Sequence, residues 1–70
     1  MSPSRPLHIV PNQLGSWHVR REGADRPLSE HASATDAELA AVRAAHATDA
    51  PEVVVHDRYN RVRRAHPKEA

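Results

Sequence analysis

Apolar and polar residues alternate in two segments near the start of the chain. The apolar positions of these segments are Leu7, Ile9, Trp17 and Val19. Alternation with a period of two is typical of strands that bury one face, and residues 11–16 between the segments are rich in turn formers. The pattern predicts a β-hairpin that pairs Ile9 with Trp17. This register buries Trp17 as a core anchor and sets His8 opposite His18 on the exposed face.

Four further elements follow the hairpin. They are predicted as a weak strand over 28–32, a helix over 36–48, a strand over 53–56 and a returning strand over 61–65. Thr35 and Glu38 have the spacing of a capping box at the helix start. Leu39 and Val42, with either Ala45 or His46, are expected to form the apolar stripe of the helix.

The last two strands are predicted to form a second hairpin. If Asp57 lies opposite Val62, then Val62 shares a face with Val53 and Val55. The same register turns His56, Arg61 and Arg63 to the other face of the sheet, which holds most of the candidate site residues.

The order of these elements, β-β-β-α-β-β, predicts a small α+β domain of two layers. We expect one antiparallel sheet with the helix packed across one of its faces. The domain is expected to occupy residues 6–65, with flexible tails over 1–5 and 66–70.

The composition limits the size of the core. The chain has 70 residues with neither Phe nor Cys, and almost half of its apolar residues are Ala. A domain of this size buries little area, and small scaffolds often add disulfides, a metal or a second subunit. Without Cys no disulfide is possible, so self-association as a homodimer is the expected supplement. We also expect a cytoplasmic protein without a membrane segment, since no signal peptide or long apolar run is present.

The charges are unevenly distributed along the chain. Residues 1–23 carry a net charge of +2, residues 24–52 of −4 and residues 53–70 of +3. Nine of the ten basic residues are Arg, and the guanidinium group suits bidentate contacts to phosphate or carboxylate. If the two basic flanks meet in one sheet, the exposed sheet face is basic.

Five short motifs resemble, in order and spacing, the small bacterial and phage family called domain of unknown function 2188. The motifs are His8-Ile-Val-Pro-Asn12, Gly15-Ser-Trp-His-Val-Arg20, Glu22-Gly23, Thr35-Asp-Ala-Glu38 and Val53-Val-Val-His56. The chain departs from the family pattern at Tyr59-Asn60, where Asp-Gly is usual, and at Ala65-His-Pro, where Tyr-Gly is common. The resemblance implies a small cytoplasmic domain that stands alone, and it implies no reaction.

Six His invite a metal hypothesis, but their spacing matches no zinc motif. The candidates for a metal-dependent assembly are the three His expected on the exposed face, His8, His18 and His56. A solvated polar face accounts for the same pattern, and no metal site or cofactor is predicted.

The sequence contains no nucleophile elbow and no Gly-rich phosphate loop, so we expect no catalytic residue, no enzyme and no small-molecule substrate. The leading hypothesis is a non-enzymatic interaction module that self-associates. The alternative is a nucleic-acid-binding domain that uses an Arg- and His-rich sheet face. The residues expected to contact nucleic acid or a partner are Arg20, His8, His18, His56, Arg61 and Arg63.

Overall fold

A single α-helix lies on one face of a five-stranded sheet. The computed structural model describes residues 5–48 and 50–67. The elements are β1 (Leu7–Pro11), β2 (Trp17–Arg21), β3 (Ser29–His31), α1 (Ala34–Thr48), β4 (Glu52–His56) and β5 (Val62–Pro67). The predicted α+β class and element order are confirmed. No helix in this part of the chain has both the length and the apolar character needed to cross a membrane.

The sheet is mixed, and the expectation of a wholly antiparallel sheet is wrong at its centre. The strand order is β3-β2-β1-β4-β5, and β1 and β4 lie side by side and parallel. The three other pairings are antiparallel. The cause is α1, because a helix that crosses the sheet after β3 returns the chain in the direction of β1.

The register of the first hairpin differs by two residues from the prediction. Ile9 pairs with Val19, and His8 pairs with Arg20 rather than with His18. The centre of the turn lies one residue later than expected, since the backbone amide of Asn12 donates to the backbone carbonyl of Ser16 across 2.8 Å. A shift of two residues keeps every side chain on its predicted face. The apolar face was therefore predicted correctly and the His8–His18 juxtaposition was not.

The core lies between the sheet and α1. Its buried residues are Leu7, Ile9, Val19, Ala37, Ala41, Ala45, Ala50, Val53 and Val55. Trp17 is partly buried and packs against this cluster, as its predicted role as a core anchor requires. None of the buried residues that the structure describes is polar or charged, so burial of apolar area is what holds the two layers together.

The buried stripe of α1 consists of Ala37, Ala41 and Ala45. The predicted stripe is wrong in its two largest members, because Leu39 is 60% exposed and Val42 is 41% exposed. Small side chains let a helix lie close to a sheet, whereas Leu at those positions would hold it away.

The cap of α1 also differs from the prediction. The Ser33 hydroxyl accepts the Asp36 amide across 3.1 Å, so Ser33 occupies the cap position that was assigned to Thr35. The helix consequently begins two residues before the predicted start.

The last hairpin has an irregular register. His56 pairs with Val62, Val55 pairs with Arg64, and the register shifts between these pairs. Because opposed residues share a face, Val62 lies on the face of His56, and the predicted grouping of Val62 with Val53 and Val55 is wrong. The bulge turns Arg64 toward the helix, where it donates to Glu38.

The C-terminal boundary extends beyond the predicted one. β5 continues to Pro67, so residues 66 and 67 belong to the sheet rather than to the predicted tail over 66–70. The other predicted tail residues, 1–4 and 68–70, lie outside the described part of the chain.

Candidate functional site

No helix or strand of residues 5–48 and 50–67 covers the sheet face opposite α1, which we call the open face. The register assigns to it His8, Val10, His18, Arg20, Glu30, Val54, His56, Val62 and Ala65. Most of the sequence-predicted site residues lie here. The three His among them contact other polar side chains rather than standing free in solvent, and they belong to two separate polar groups.

The first group is the His8–His56 pair. Nδ1 of His8 lies 3.0 Å from Nε2 of His56, and the two ring planes are inclined by 49°. On the outer side of the pair, Nε2 of His8 lies 3.1 Å from Oε1 of Glu22, and Nδ1 of His56 lies 3.2 Å from the Asn60 carbonyl oxygen. All four ring nitrogens of the pair therefore have a partner.

Parallel pairing of β1 with β4 brings the pair together. His8 lies beside Val54 in the register, so His56 follows two residues along the same face of β4. The two His are 48 positions apart in the sequence, and α1 lies in the segment that connects their strands. Because of this long separation, the sequence carries no local motif for the site.

Asp57 shapes the turn that places the Asn60 carbonyl. Its carboxylate accepts the backbone amides of Arg61 and Tyr59, each across 2.9 Å. The Arg61 amide is the main cause that lowers the pKa of Asp57, and the Tyr59 amide adds to it. Asn60 closes the turn with a φ of 63°, a left-handed conformation that Asn tolerates better than most residues.

The second group is the Asn12–Glu30 cluster, which joins the first turn to edge strand β3. The Asn12 amide nitrogen lies 3.0 Å from Ser16 Oγ and 3.0 Å from Glu30 Oε2. It also lies 3.2 Å from Nε2 of His18. The Ser16 hydroxyl donates to Glu30, and this hydrogen bond, followed by that from Asn12, lowers the pKa of the Glu30 carboxyl.

The three predicted metal candidates are thus not brought together. His8 and His56 are adjacent, whereas His18 belongs to the Asn12–Glu30 cluster. Over residues 5–48 and 50–67, no group of three or more His, Cys, Asp or Glu side chains is arranged to hold a metal ion.

Two of the three predicted Arg contacts are used within the chain. Arg20 donates to the backbone carbonyls of Ala24 and Asp25 across 2.9 and 3.2 Å, and so fastens the turn after β2. Arg61 forms an ion pair with Asp57 at 3.0 Å. Arg63 is exposed, and it lies at the register shift of β5.

The tip of the β4–β5 hairpin is basic and carries an exposed aromatic ring. Arg58, Tyr59, Arg61 and Arg63 are all exposed. The Arg61 guanidinium lies 5.3 Å from the centre of the Tyr59 ring, a distance that suits a cation–π contact. Exposed basic side chains therefore lie together at this hairpin tip, whereas the sequence pattern predicts them across the exposed sheet face.

Sequence reasoning missed the partners of the site residues. Glu22 lies diagonally from His8 across the hairpin because Arg20 is the direct partner of His8, and only the correct register finds it. Glu38 was assigned to the helix cap, but its carboxylate accepts from Arg64 and from His66. The bulge in β5 produces that contact, and no local sequence pattern predicts it.

A shallow depression of about 370 Å³ adjoins the His8–His56 pair. It is lined by His8, Val10, Arg20, Arg21, Glu22, Gly23, Ala24, His56 and Asn60. A second, of about 340 Å³, lies between the first turn and Arg58. Both are open to solvent, unlike the enclosed clefts that surround most of a small-molecule ligand.

Comparison with known proteins gives one match. The sequence model of the family described as "uncharacterized protein conserved in bacteria" (DUF2188) matches residues 7–66. No curated protein and no solved structure matches the chain.

Proposed function

The chain belongs to the DUF2188 family of bacterial proteins, and from this premise we propose that it is a non-enzymatic interaction module that self-associates through its open face. The occupant of that face is a second copy of the chain. The observation that carries the proposal is the apolar character of β4 on both sides of the sheet.

Three consecutive valines of β4 are buried, yet only two of them face the helix. Val54 lies on the open face, is 9% exposed and stands outside the core cluster. Strands at the centre of sheets covered on both faces have such continuous apolar runs, whereas strands of one-sided sheets alternate. Val54 is already covered by its neighbours within one chain, so the apolar area left for a second layer lies around it, as at Val62.

The small core gives a reason for this association. Among the residues that the structure describes, four large side chains are fully buried, namely Leu7, Ile9, Val19 and Val55. A domain with so few buried large residues gains stability when a partner removes more apolar area from water. On the open face, Val62 is 65% exposed and supplies such area.

The charges of the two edge strands suit a symmetric pair. Glu30 lies on edge strand β3, while Arg63 lies on the opposite edge strand β5. A two-fold axis parallel to the central strands sets the β3 edge of one copy against the β5 edge of the other. Opposite charges then meet at both ends of the interface.

Light scattering after size-exclusion chromatography tests this proposal over a range of protein concentrations. We expect the mass to rise from one chain to two. Val62→Glu is expected to raise the Kd at least about tenfold, which corresponds to roughly 1.4 kcal/mol. Leu39→Glu is the matched control, since Leu39 is equally exposed on the helix side. A single-chain mass throughout, or dissociation by Leu39→Glu alone, contradicts the proposal.

Two features support the non-enzymatic part of the proposal. Ser16 donates its hydroxyl proton to Glu30 rather than to an imidazole base, and both depressions beside the site are open. We also propose a cytoplasmic location, since the absence of Cys from all 70 residues agrees with a reducing compartment.

The basic hairpin tip favours nucleic acid as the second candidate partner. Exposed Arg58 and Arg63 flank exposed Tyr59, and Arg side chains with an aromatic ring suit the backbone and bases of a single strand. Fluorescence anisotropy with a labelled single-stranded oligonucleotide at low salt tests this. The Arg58→Ala/Arg63→Ala variant is expected to bind more weakly and with a smaller salt slope, whereas exposed Arg43→Ala on the helix is the control. A Kd for the oligonucleotide that does not change with salt concentration contradicts this candidate.

A further inference from the structure

The His8–His56 pair has an electrostatic requirement that self-association does not meet. The Asn60 carbonyl oxygen can only accept, so Nδ1 of His56 donates to it. An ionised Glu22 carboxylate likewise only accepts, so Nε2 of His8 donates to it. The outer contacts thus fix which nitrogen of each neutral ring carries its hydrogen.

The two remaining nitrogens face each other. A neutral imidazole has one N–H and one lone pair, so Nδ1 of His8 and Nε2 of His56 point lone pairs at each other across 3.0 Å. In these tautomers no hydrogen lies between the two rings, and an electron-pair acceptor placed there would contact both nitrogens. A proton fills the gap with one N–H···N hydrogen bond, and a metal ion fills it with two coordinate bonds.

We propose that the His8–His56 pair is a binding site for a divalent first-row metal ion of the Zn²⁺ and Cu²⁺ class. Imidazole nitrogen suits these ions. Two nitrogens that each lie about 2.0–2.1 Å from a tetrahedral Zn²⁺ are separated by about 3.3 Å. From the observed 3.0 Å, the separation must increase slightly and both rings must turn so that their lone pairs converge on one ion beside the line that joins the two nitrogens.

The outer contacts of the pair are those that metal-binding His make. A ligating His usually donates its other N–H to a carboxylate or to a backbone carbonyl, which fixes the ring and raises its basicity. Glu22 is such a carboxylate for His8, and Asn60 supplies such a carbonyl for His56. Both rings are therefore already oriented with their lone pairs inward.

The site is open on one side. No third protein ligand stands beside the pair in the described part of the chain, and the side chain of His8 is 23% exposed. The adjoining depression of about 370 Å³ has room for water molecules in the remaining coordination positions. Closed structural zinc sites instead use four protein ligands. Both ligands come from one chain, so the site does not require the proposed dimer, and dilute protein tests it separately.

Nitrogen-resolved NMR of the His rings tests the site directly, with ZnCl₂ added to dilute ¹⁵N-labelled protein. We expect Nδ1 of His8 and Nε2 of His56 to move together and saturably toward the shifts of metal-bound nitrogen. The rings of His18 and His46 are expected to stay unchanged. Unchanged signals from both facing nitrogens would show a site that holds a proton only and would overturn the proposal.

Variants provide the second readout, by calorimetric titration with ZnCl₂. His8→Ala and His56→Ala are expected to abolish the site, and exposed His46→Ala is the matched control. Glu22→Ala is expected to weaken zinc binding by about 10–100-fold, since it removes an outer partner and no ligand. Circular dichroism without metal checks that each variant folds, and the ring shifts of the unaltered protein remain decisive if one does not. Equal zinc affinity in His8→Ala contradicts the proposal.

Discussion

The two faces of the sheet are built on different physical principles. The covered face joins apolar strand residues such as Ile9 and Val55 to an Ala stripe of α1. The open face joins polar side chains to one another in the His8–His56 pair and the Asn12–Glu30 cluster. Burial of apolar area stabilises the covered face, whereas hydrogen bonds in contact with solvent contribute little net stability. We therefore expect substitutions on the covered face to change stability and those on the open face to change binding.

The largest difference between the faces is expected for adjacent residues of β1. Ile9 is completely buried under α1, while Val10 lies partly exposed on the open face. Ile9→Ala is expected to lower the free energy of unfolding by about 2–5 kcal/mol, because apolar burial is lost and a cavity remains. Val10→Ala is expected to cost far less. Urea denaturation of both variants below the concentration of self-association measures this, and equal costs would contradict the division of roles.

A smaller difference is expected between the two sides of α1. Ala41 is completely buried, and Leu39 points to solvent. Ala41→Leu is expected to destabilise by about 1–3 kcal/mol, because the added atoms push the helix from the sheet. Leu39→Ala is expected to be close to neutral. If thermal unfolding instead shows Leu39→Ala to be the more harmful change, the helix packs through the stripe that the sequence suggested.

The smallest effect is expected from Glu30 on the open face, and it appears only in acid. Hydrogen bonds from Ser16 and Asn12 hold the pKa of Glu30 below its ordinary value of 4.5. A lowered pKa in the folded state adds stability above the unfolded-state value, and this contribution is lost as the pH falls through the folded-state pKa. Glu30→Gln should remove this part of the acid sensitivity, and Ser16→Ala should reduce it. The fall of the urea unfolding midpoint between neutral and acid pH measures this contribution. An equally large fall in Glu30→Gln and in the unaltered protein would contradict the role of Glu30.

The covered face of the sheet was predictable from the sequence because alternation fixes faces without fixing register. Leu7, Ile9 and Val19 were assigned to the core although the pairing was wrong by two residues. The helix stripe was not predictable in the same way. Leu39 and Val42 are more apolar than Ala, and only the close approach of helix to sheet makes Ala37 and Ala41 the better buried residues.

The candidate site was only partly predictable. The sequence indicated that His8 and His56 share an exposed face, but their contact depends on the parallel pairing of β1 with β4. That pairing follows from the path of α1, which no local pattern encodes. The valine run of β4 is typical of a strand buried on both faces, but it does not identify what covers the second face.

We propose that a partner binds the open face of the sheet and not the helix side. Methyl NMR spectra recorded from dilute to concentrated protein test it most directly. We expect the signals of Val10, Val54 and Val62 to shift together as the concentration rises, while those of Leu39 and Val42 on the helix stay constant. Shifts confined to Leu39 and Val42, or no shift at any concentration, would contradict it.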